Sequence, residues 1–423
     1  MDDPPLSSSE RFHSFAKPAL ILFMVTVIGG ACNYIYQVFM MNSLTVEHYS
    51  ELAAVLSLFY IVSVPNQTVA TMLLRYTSKF VAEGRKAQIS WLMRRSMWIS
   101  LAISGVMVLV LFLMTPWIVD YLSLTSDLPL YVMMVGIIVY MMTAVGFGTG
   151  QGLQRFNILS LNTLWPVGKL LFGILLVVAG FGVAGAMGGV VIGMSWGLMV
   201  VILGVRDYLS KKGEPIEKSD STSILVYLIP VTAAVVCYAI LTNVDIFLAN
   251  HYLDKTQAGI YSTASTLGKI ILVLPGAIGT VMFPKISEAH TKREDTVRIM
   301  RRSILYCLGL TGVAALVFLL APNFVLTLLT SNKYADAAGP LQILGVSMMF
   351  FGLASLFMNY GLATNRRQYI SVLIALTVVQ FVLITLYHST PMDIAYDMLA
   401  TSMAICVFSW LYMELKFRTS ATY

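Results

Sequence analysis

The sequence predicts an all-α integral membrane protein of twelve transmembrane helices, arranged as two pseudo-symmetric six-helix bundles with both termini cytoplasmic. Composition, run length and the placement of basic residues predict it. Hydrophobic residues make up 58% of the 423-residue chain and charged residues 11%, against about 25% charged residues in a soluble domain. A hydrocarbon core about 30 Å thick needs about 20 apolar residues per helix. Twelve such runs occur, at 17–41, 51–74, 97–119, 129–150, 159–181, 184–205, 223–249, 258–282, 303–327, 340–363, 369–388 and 393–415. No gap between them is long enough to hold a soluble domain. Of the 27 Lys and Arg, 23 fall in every second gap, and the positive-inside rule assigns those gaps to the cytoplasm.

The densest inside cluster is Arg75, Lys79, Arg85, Lys86, Arg94 and Arg95. Only Lys255 and Lys333 lie in the outside gaps, and Lys169 and Lys269 lie within runs. The formal charge of +6 follows from short cytoplasmic loops facing anionic lipid, which gives no reason to expect a nucleic-acid partner. Cys32, Cys237, Cys307 and Cys406 all fall within runs, without pairing or metal-ligand spacing, so they read as small apolar packers. The five histidines are scattered and no phosphate-binding Walker sequence occurs, so neither a metal nor another cofactor is expected, nor ATP hydrolysis on this chain. Asp2, Asp3 and the serine run after them are not a basic n-region. No cleaved signal peptide is therefore expected, and the first run reads as a retained signal-anchor.

The longest inside linker, Asp207 to Ser221, separates six runs from six. The expected organisation is a cytoplasmic tail at 1–16, a bundle at 17–206, a linker at 207–222, a second bundle at 223–416 and a tail at 417–423. The halves resemble one another. The segment from Leu44 aligns with that from Leu253, and Pro65 meets Pro275 at an offset of 210. Further on, Gly150 meets Gly361 and Arg155 meets Arg366 at 211. Six spans per half keep the same orientation, so the repeat is parallel and the interface between halves is the expected substrate region.

Within the runs, Gly185, Gly189, Gly193 and Gly197 recur every four residues, a stripe that lets two helix backbones approach closely. Pro65, Pro166, Pro230 and Pro275 each remove a backbone hydrogen bond and can kink a helix. Lys169 and Lys269 each lie about 18 Å deep at 1.5 Å per residue, and a charge there requires a wet cavity or a partner. Two readings stand side by side. Asp245 pairs with Lys269 as its charge partner or serves ion coupling, or Lys169, Lys269 and Arg75 bind an anionic group in a central cavity. Asn33 and Gln37, one turn apart, and Asn66 and Gln67, beside Pro65, suit either a polar cavity wall or interhelical hydrogen bonding.

Several segments carry a family resemblance: TVEHYSELAAVLSLF followed by RYTSKFVAEG, GQGLQRF from Gly150, GVAGAMGGVVIG from Gly182, NVDIFLANHYLDKTQAGIYSTAS from Asn243, PGAIGTVMFPKISEA from Pro275 and NKYADAAGPLQIL from Asn332. Together they resemble the polysaccharide-biosynthesis and oligosaccharide flippases of the multidrug, oligosaccharidyl-lipid and polysaccharide exporter superfamily. The resemblance covers nearly the whole chain. It implies a fold like that of the multidrug and toxin extrusion (MATE) transporters, two six-helix bundles around a cavity. It implies translocation of a polyprenyl-diphosphate-linked oligosaccharide across the cytoplasmic membrane. It implies basic cavity residues that hold the diphosphate, for which Lys169 and Lys269 are candidates, and it places Asp245 on an acidic position typical of the family. Twelve spans depart from the fourteen of the lipid II branch.

The expected function is a flippase, not an enzyme, working by alternating access driven by an ion gradient or by consumption of product outside. Expected partners are the lipid-linked oligosaccharide, the lipid bilayer, and the polymerase or glycosyltransferases of the same pathway. A MATE-type drug or cation antiporter is the alternative from the same fold, and it calls for an acidic cavity. A membrane glycan polymerase or ligase is the alternative from another class. It calls for a sizeable outside loop, whereas the longest outside gap runs only from about Thr327 to Gly339.

Overall fold

The computed structural model describes residues 8–420 apart from 211–212, 277, 280–281, 283–285, 287–295 and 365–367. Lys211, Lys212, Lys285, Lys292, Arg293, Arg366, Arg367, the polar exit at Pro284 and the ends of both expected tails lie outside the described residues. Every regular element among the described residues is helical. In order they are α1 (Ser8–Ser43), α2 (Val46–Val62), α3 (Val64–Ala82), α4 (Lys86–Tyr121), α5 (Leu128–Gly152), α6 (Phe156–Thr163), α7 (Trp165–Leu176), α8 (Gly182–Leu209), α9 (Lys218–Tyr252), α10 (Lys255–Gly268), α11 (Thr296–Leu320), α12 (Pro322–Thr330), α13 (Ala338–Ala363), α14 (Gln368–Leu386) and α15 (Pro391–Ser420).

Eleven stretches among the described residues are long and apolar enough to span a bilayer. One of them, Phe156–Leu209, has 54 residues, about 81 Å of helix at 1.5 Å per residue and far more than one crossing uses. It folds back at Gly180 and Gly182, whose φ values of 92° and 52° are left-handed and suit glycine, which has no Cβ to clash. A Cβ on Gly193 would lie 2.6 Å from the Lys169 backbone nitrogen, and one on Gly197 would lie 3.5 Å from Trp165 Cβ. Gly189 faces Gly173 in the same register. Positions ascending in α8 meet positions descending in α7, so the two form an antiparallel hairpin and the single stretch makes two passes. The glycine stripe thus serves backbone contact, which small residues permit in lipid. Apolar side chains such as Val178, Leu305 and Leu320 are 74%, 68% and 79% exposed, which is stable only where the surrounding solvent is hydrocarbon.

The internal repeat is visible in local structure. Thr45 caps the N-terminus of α2 by accepting from His48 N at 3.2 Å. Asp254, at the repeat-equivalent position, caps α10 by accepting from Gln257 N at 2.9 Å. Side-chain oxygens at such positions satisfy orphan amides of the first turn. Each hairpin then breaks ahead of its proline. The α2–α3 junction falls at Ser63, before Pro65, and α10 passes into a 3₁₀ turn at Lys269–Leu272, before Pro275. Apolar runs 51–74 and 258–282 each straddle such a break. Run length follows hydropathy, which is blind to a lost hydrogen bond at proline.

The chain forms two compact units. The first comprises the described parts of Met1–Met40, Pro65–Trp117 and Ser126–Leu225. In it α3 and α5 run side by side, with Gly148 against Ala70 and Gly152 against Thr77. Arg155 donates to both carboxylate oxygens of Asp207, at 2.8 and 2.5 Å, and to the Gly204 carbonyl. That clasp ties the α5–α6 turn to the end of α8, and the hydrogen-bonded Asp207 carboxylate holds the guanidinium pKa above its ordinary value.

The second unit comprises Met41–Val64, Ile118–Thr125 and the described parts of Val226–Tyr423, so it draws on both sequence halves. Here Lys255 and Lys333, the two lysines expected in outside gaps, find their partners. Glu51, 2% exposed, accepts from Lys255 Nζ at 2.8 Å, Thr125 Oγ1 at 2.8 Å and Thr125 N at 3.2 Å. Lys333 Nζ donates to the Leu44 carbonyl and, at 3.2 Å, to that of Met41, which also accepts from Tyr334 Oη. A cation on the Met41 carbonyl in the last turn of α1 and on that of Leu44 just past it satisfies orphan acceptors and complements the helix dipole, while burial lowers the Lys333 pKa. The Glu51 contacts join α2 to the start of α10 and to the turn after α4. Glu51→Ala removes all three charge-assisted bonds and is expected to destabilise the protein by about 2–3 kcal/mol. Glu51→Gln, which keeps an acceptor for Thr125, is expected to lose less. Thermal unfolding of the two variants in detergent checks the order.

Candidate functional site

A cavity of about 480 Å³ opens inside the first unit, within the range of about 300–1,000 Å³ typical of small-ligand sites. Two helix breaks build it. The first, at Ser63 ahead of Pro65, starts α3 with Asn66 and Gln67 on the cavity wall. The second separates α6 from α7 at Leu164, where Pro166 takes a first-turn position of α7 that needs no amide donor. Asn162, Thr163 and Trp165 reach the wall around this break. Tyr140, Thr143, Ala144 and Phe147 of α5 complete one side, and Met194 and Gly197 of α8 the other. Gly197 is the last glycine of the stripe, so close helix approach and cavity floor share a residue. Among the described residues, no Asp, Glu, Lys, Arg or His lines this cavity.

The polar groups on the wall are oriented. Asn66 donates its side-chain amide to the Tyr140 carbonyl, and Asn162 donates to the Gly197 carbonyl at 3.0 Å. Each bond uses one of the two N–H donors of the amide, so each asparagine keeps one N–H and its oxygen acceptor. Thr143 and Thr163 donate their hydroxyl protons to Val139 and Leu159 of their own helices at 2.9 and 2.8 Å, again leaving oxygen lone pairs. Gln67 is exposed on the cavity side of α3.

The other sequence-selected residues of this unit lie off that wall. Lys169, 1% exposed, donates from Nζ to Asn33 Oδ1 at 2.7 Å. Its ammonium lies 4.1 Å from the centre of the Tyr36 ring and 6.0 Å from that of Trp165, a cation–π arrangement. Tyr36 Oη in turn donates to the Ala186 carbonyl at 2.9 Å, so α1, α7 and α8 are bound around this lysine. Gln37 is buried on α1, and Arg75 is exposed on α3. Among the described residues the partners of Lys169 are neutral, Asn33 and the Tyr36 and Trp165 rings. Lys169→Met fills nearly the same volume without a charge, and such replacements are often neutral or stabilising. The variant is expected to unfold at nearly the parent's midpoint, read by thermal unfolding in detergent.

Lys269 and Asp245 belong to the second unit. Asp245, 0% exposed, accepts from Ser265 Oγ at 2.6 Å, Tyr261 Oη at 3.1 Å and Lys269 Nζ at 3.4 Å. Lys269 occupies the first position of the 3₁₀ turn that ends α10, where the break aims it back at α9. The pairing of Asp245 with Lys269 is therefore present in this structure, and three donors on one carboxylate offset its desolvation.

Sequence reasoning selected Asn66 and Gln67 of the cavity wall and passed over Tyr140, Thr143, Phe147, Asn162, Thr163 and Trp165. A signal for three of them was present, because Asn162, Thr163 and Trp165 precede Pro166 much as Asn66 and Gln67 follow Pro65. Tyr140, Thr143 and Phe147 sit in an apolar run, and nothing in the sequence marks their face.

Among solved structures, the chain is similar to an inward-facing multidrug resistance MATE family transporter of the MOP superfamily, with 12% identity, 95% of this chain and 99% of that chain covered, and a TM-score of 0.79. It is similar to the lipid II flippase MurJ in an inward closed conformation, with 13% identity, 94% and 87% covered, and a TM-score of 0.70. It is also similar to a Vibrio cholerae MATE transporter, with 16% identity, 96% and 98% covered, and a TM-score of 0.68. At these identities the likeness shows a shared fold, that of the MOP transporters, in a multi-pass membrane protein. Comparison with curated protein sequences finds no match. The family model for polysaccharide biosynthesis proteins matches residues 15–290, more than half of the chain, and the protein belongs to that family.

Proposed function

We propose that the protein is a flippase that moves a polyprenyl-diphosphate-linked oligosaccharide across the cytoplasmic membrane for cell-surface polysaccharide biosynthesis. The observation that carries this reading is an uncharged cavity lined by amides, hydroxyls and rings in a transporter fold of the polysaccharide biosynthesis family. A drug or cation antiporter would call for a carboxylate on the cavity wall, whereas amides, hydroxyls and rings line this one. The segments 17–206 and 223–416 act as the two moving bodies, and alternating access carries the glycan head through water while the lipid tail stays in the bilayer. An ion gradient or consumption of product outside drives the cycle, with Asp245 as charge partner or ion-coupling group. Arg75, exposed on α3, and the charges of Lys169 and Lys269 favour the diphosphate, since fixed cations stabilise such an anion. Asn33 and Gln37 hold the α1 face beside Lys169, and Asn66 and Gln67 meet the glycan.

Deletion of the gene tests the reading. Lipid-linked oligosaccharide should accumulate on the cytoplasmic leaflet while surface glycan is lost, and unchanged glycan export would refute it. Lys169→Met and Lys269→Met should each reduce export about tenfold, equivalent to about 1.4 kcal/mol, with the protein still inserted. Loss of insertion instead would assign those lysines to folding alone.

A further inference from the structure

We propose that the cavity of the first unit is a saccharide subsite in which Trp165 stacks on the apolar face of a sugar ring, and Asn66, Gln67 and Asn162 receive or donate hydrogen bonds to its hydroxyls. This rests on the reading of the cargo as a lipid-linked glycan and adds which part of the chain holds the sugar. The argument is one of complementarity. Asn66 and Asn162 are fixed in orientation by one N–H each to a backbone carbonyl and keep the other, while Thr143 and Thr163 have committed their hydroxyl protons to their own helices. What the wall offers is both amide N–H donors and oxygen acceptors, without a charge. A ligand that matches it must be rich in hydroxyls, which both donate and accept, and uncharged, because among the described residues no cationic side chain lines the wall to offset a buried anion. Rings among those groups add a flat apolar surface, which suits the C–H face of a pyranose.

Organic cations also favour acceptors and aromatic faces. The Lys169 ammonium, 4.1 Å from the Tyr36 ring centre and 6.0 Å from that of Trp165, already places a positive charge near the Trp165 ring and repels a second. A diphosphate finds no cationic side chain on this wall among the described residues. The lipid-linked substrate is thereby divided by chemistry, with the sugar ring in the neutral cavity and the diphosphate left to basic residues elsewhere.

The test is saturation-transfer difference NMR on the purified full chain in detergent, with methyl N-acetylglucosaminide and methyl glucoside as sugar probes, tetraphenylphosphonium as the cation and inorganic diphosphate as the anion. Ring protons of at least one sugar are expected to receive saturation. Trp165→Ala should weaken binding tenfold or more, and so should Gln67→Ala, whose exposed side chain leaves folding untouched. Neither the cation nor diphosphate should compete. No transfer to either sugar, transfer unchanged in both variants, or displacement of the sugar by tetraphenylphosphonium would overturn the proposal. Leaflet transfer of the lipid-linked substrate is scored separately. Transfer that persists in both variants without a sugar signal removes the subsite and leaves the flippase, whereas a Trp165-dependent sugar signal without transfer keeps the subsite and removes the flippase.

Discussion

Asp245→Ala is expected to destabilise the protein by about 3–5 kcal/mol, the range for leaving one member of a buried ion pair alone. The carboxylate is fully buried and takes donors from Ser265, Tyr261 and Lys269. Its removal leaves an ammonium with 18% exposed side chain and two hydroxyls that lose a shared acceptor. Asp245→Ala/Lys269→Met removes both charges, and replacing a whole buried pair by apolar groups is often neutral. The double variant should therefore recover most of the loss. Lys269→Met alone leaves Asp245 with its Ser265 and Tyr261 donors and should cost less than Asp245→Ala. Thermal unfolding of the three variants, combined as a double-mutant cycle, measures the coupling. A double variant as unstable as Asp245→Ala would show that the lysine does not depend on the carboxylate.

Gly193→Leu is expected to abolish accumulation of folded protein. The Cβ it adds would sit 2.6 Å from both the Lys169 amide nitrogen and the Trp165 carbonyl oxygen. Overpacking ordinarily costs about 1–3 kcal/mol because side chains move aside. Here the obstructing atoms are backbone of α7, so relief requires parting the hairpin that carries Trp165 and Lys169. Gly309→Leu is the control. A Cβ there meets nothing within 4 Å, and replacing glycine inside a helix gains up to about 1 kcal/mol of propensity. Size-exclusion profiles of the two variants should differ sharply, and a monodisperse Gly193→Leu would mean that the α7–α8 contact is slack.

How much of this was legible beforehand depended on what kind of interaction was involved. Span number, the repeat and the glycine stripe rest on periodicity and composition, which a sequence displays directly. The matched N-caps at Thr45 and Asp254 show the repeat reaching single hydrogen bonds. The four lysines that break the charge sorting were visible as exceptions, and Asp245 stood out as a candidate partner for Lys269, but the partners of the other three were not legible. Lys255 meets Glu51 across 204 positions and Lys169 meets Asn33 across 136, separations at which only the fold decides. Lys169 was legible as a buried charge but not as a residue held by Asn33, Tyr36 and Trp165. The proline breaks were legible too. Their consequence, that polar side chains beside each break line one cavity, needed the two breaks to be brought together in the first unit.

The most direct test of the central claim is leaflet transfer in proteoliposomes. Purified protein would be reconstituted with a polyprenyl-diphosphate disaccharide carrying a fluorophore on its glycan, and dithionite added outside would quench the accessible pool. In protein-free vesicles about half of the signal should stay protected, as a two-leaflet membrane without exchange requires. With the protein present, the protected fraction should fall steadily as inner-leaflet lipid is delivered outward, and Trp165→Ala should slow that fall. A protected fraction that stays at the protein-free level, in vesicles shown to contain folded protein, would contradict the flippase reading.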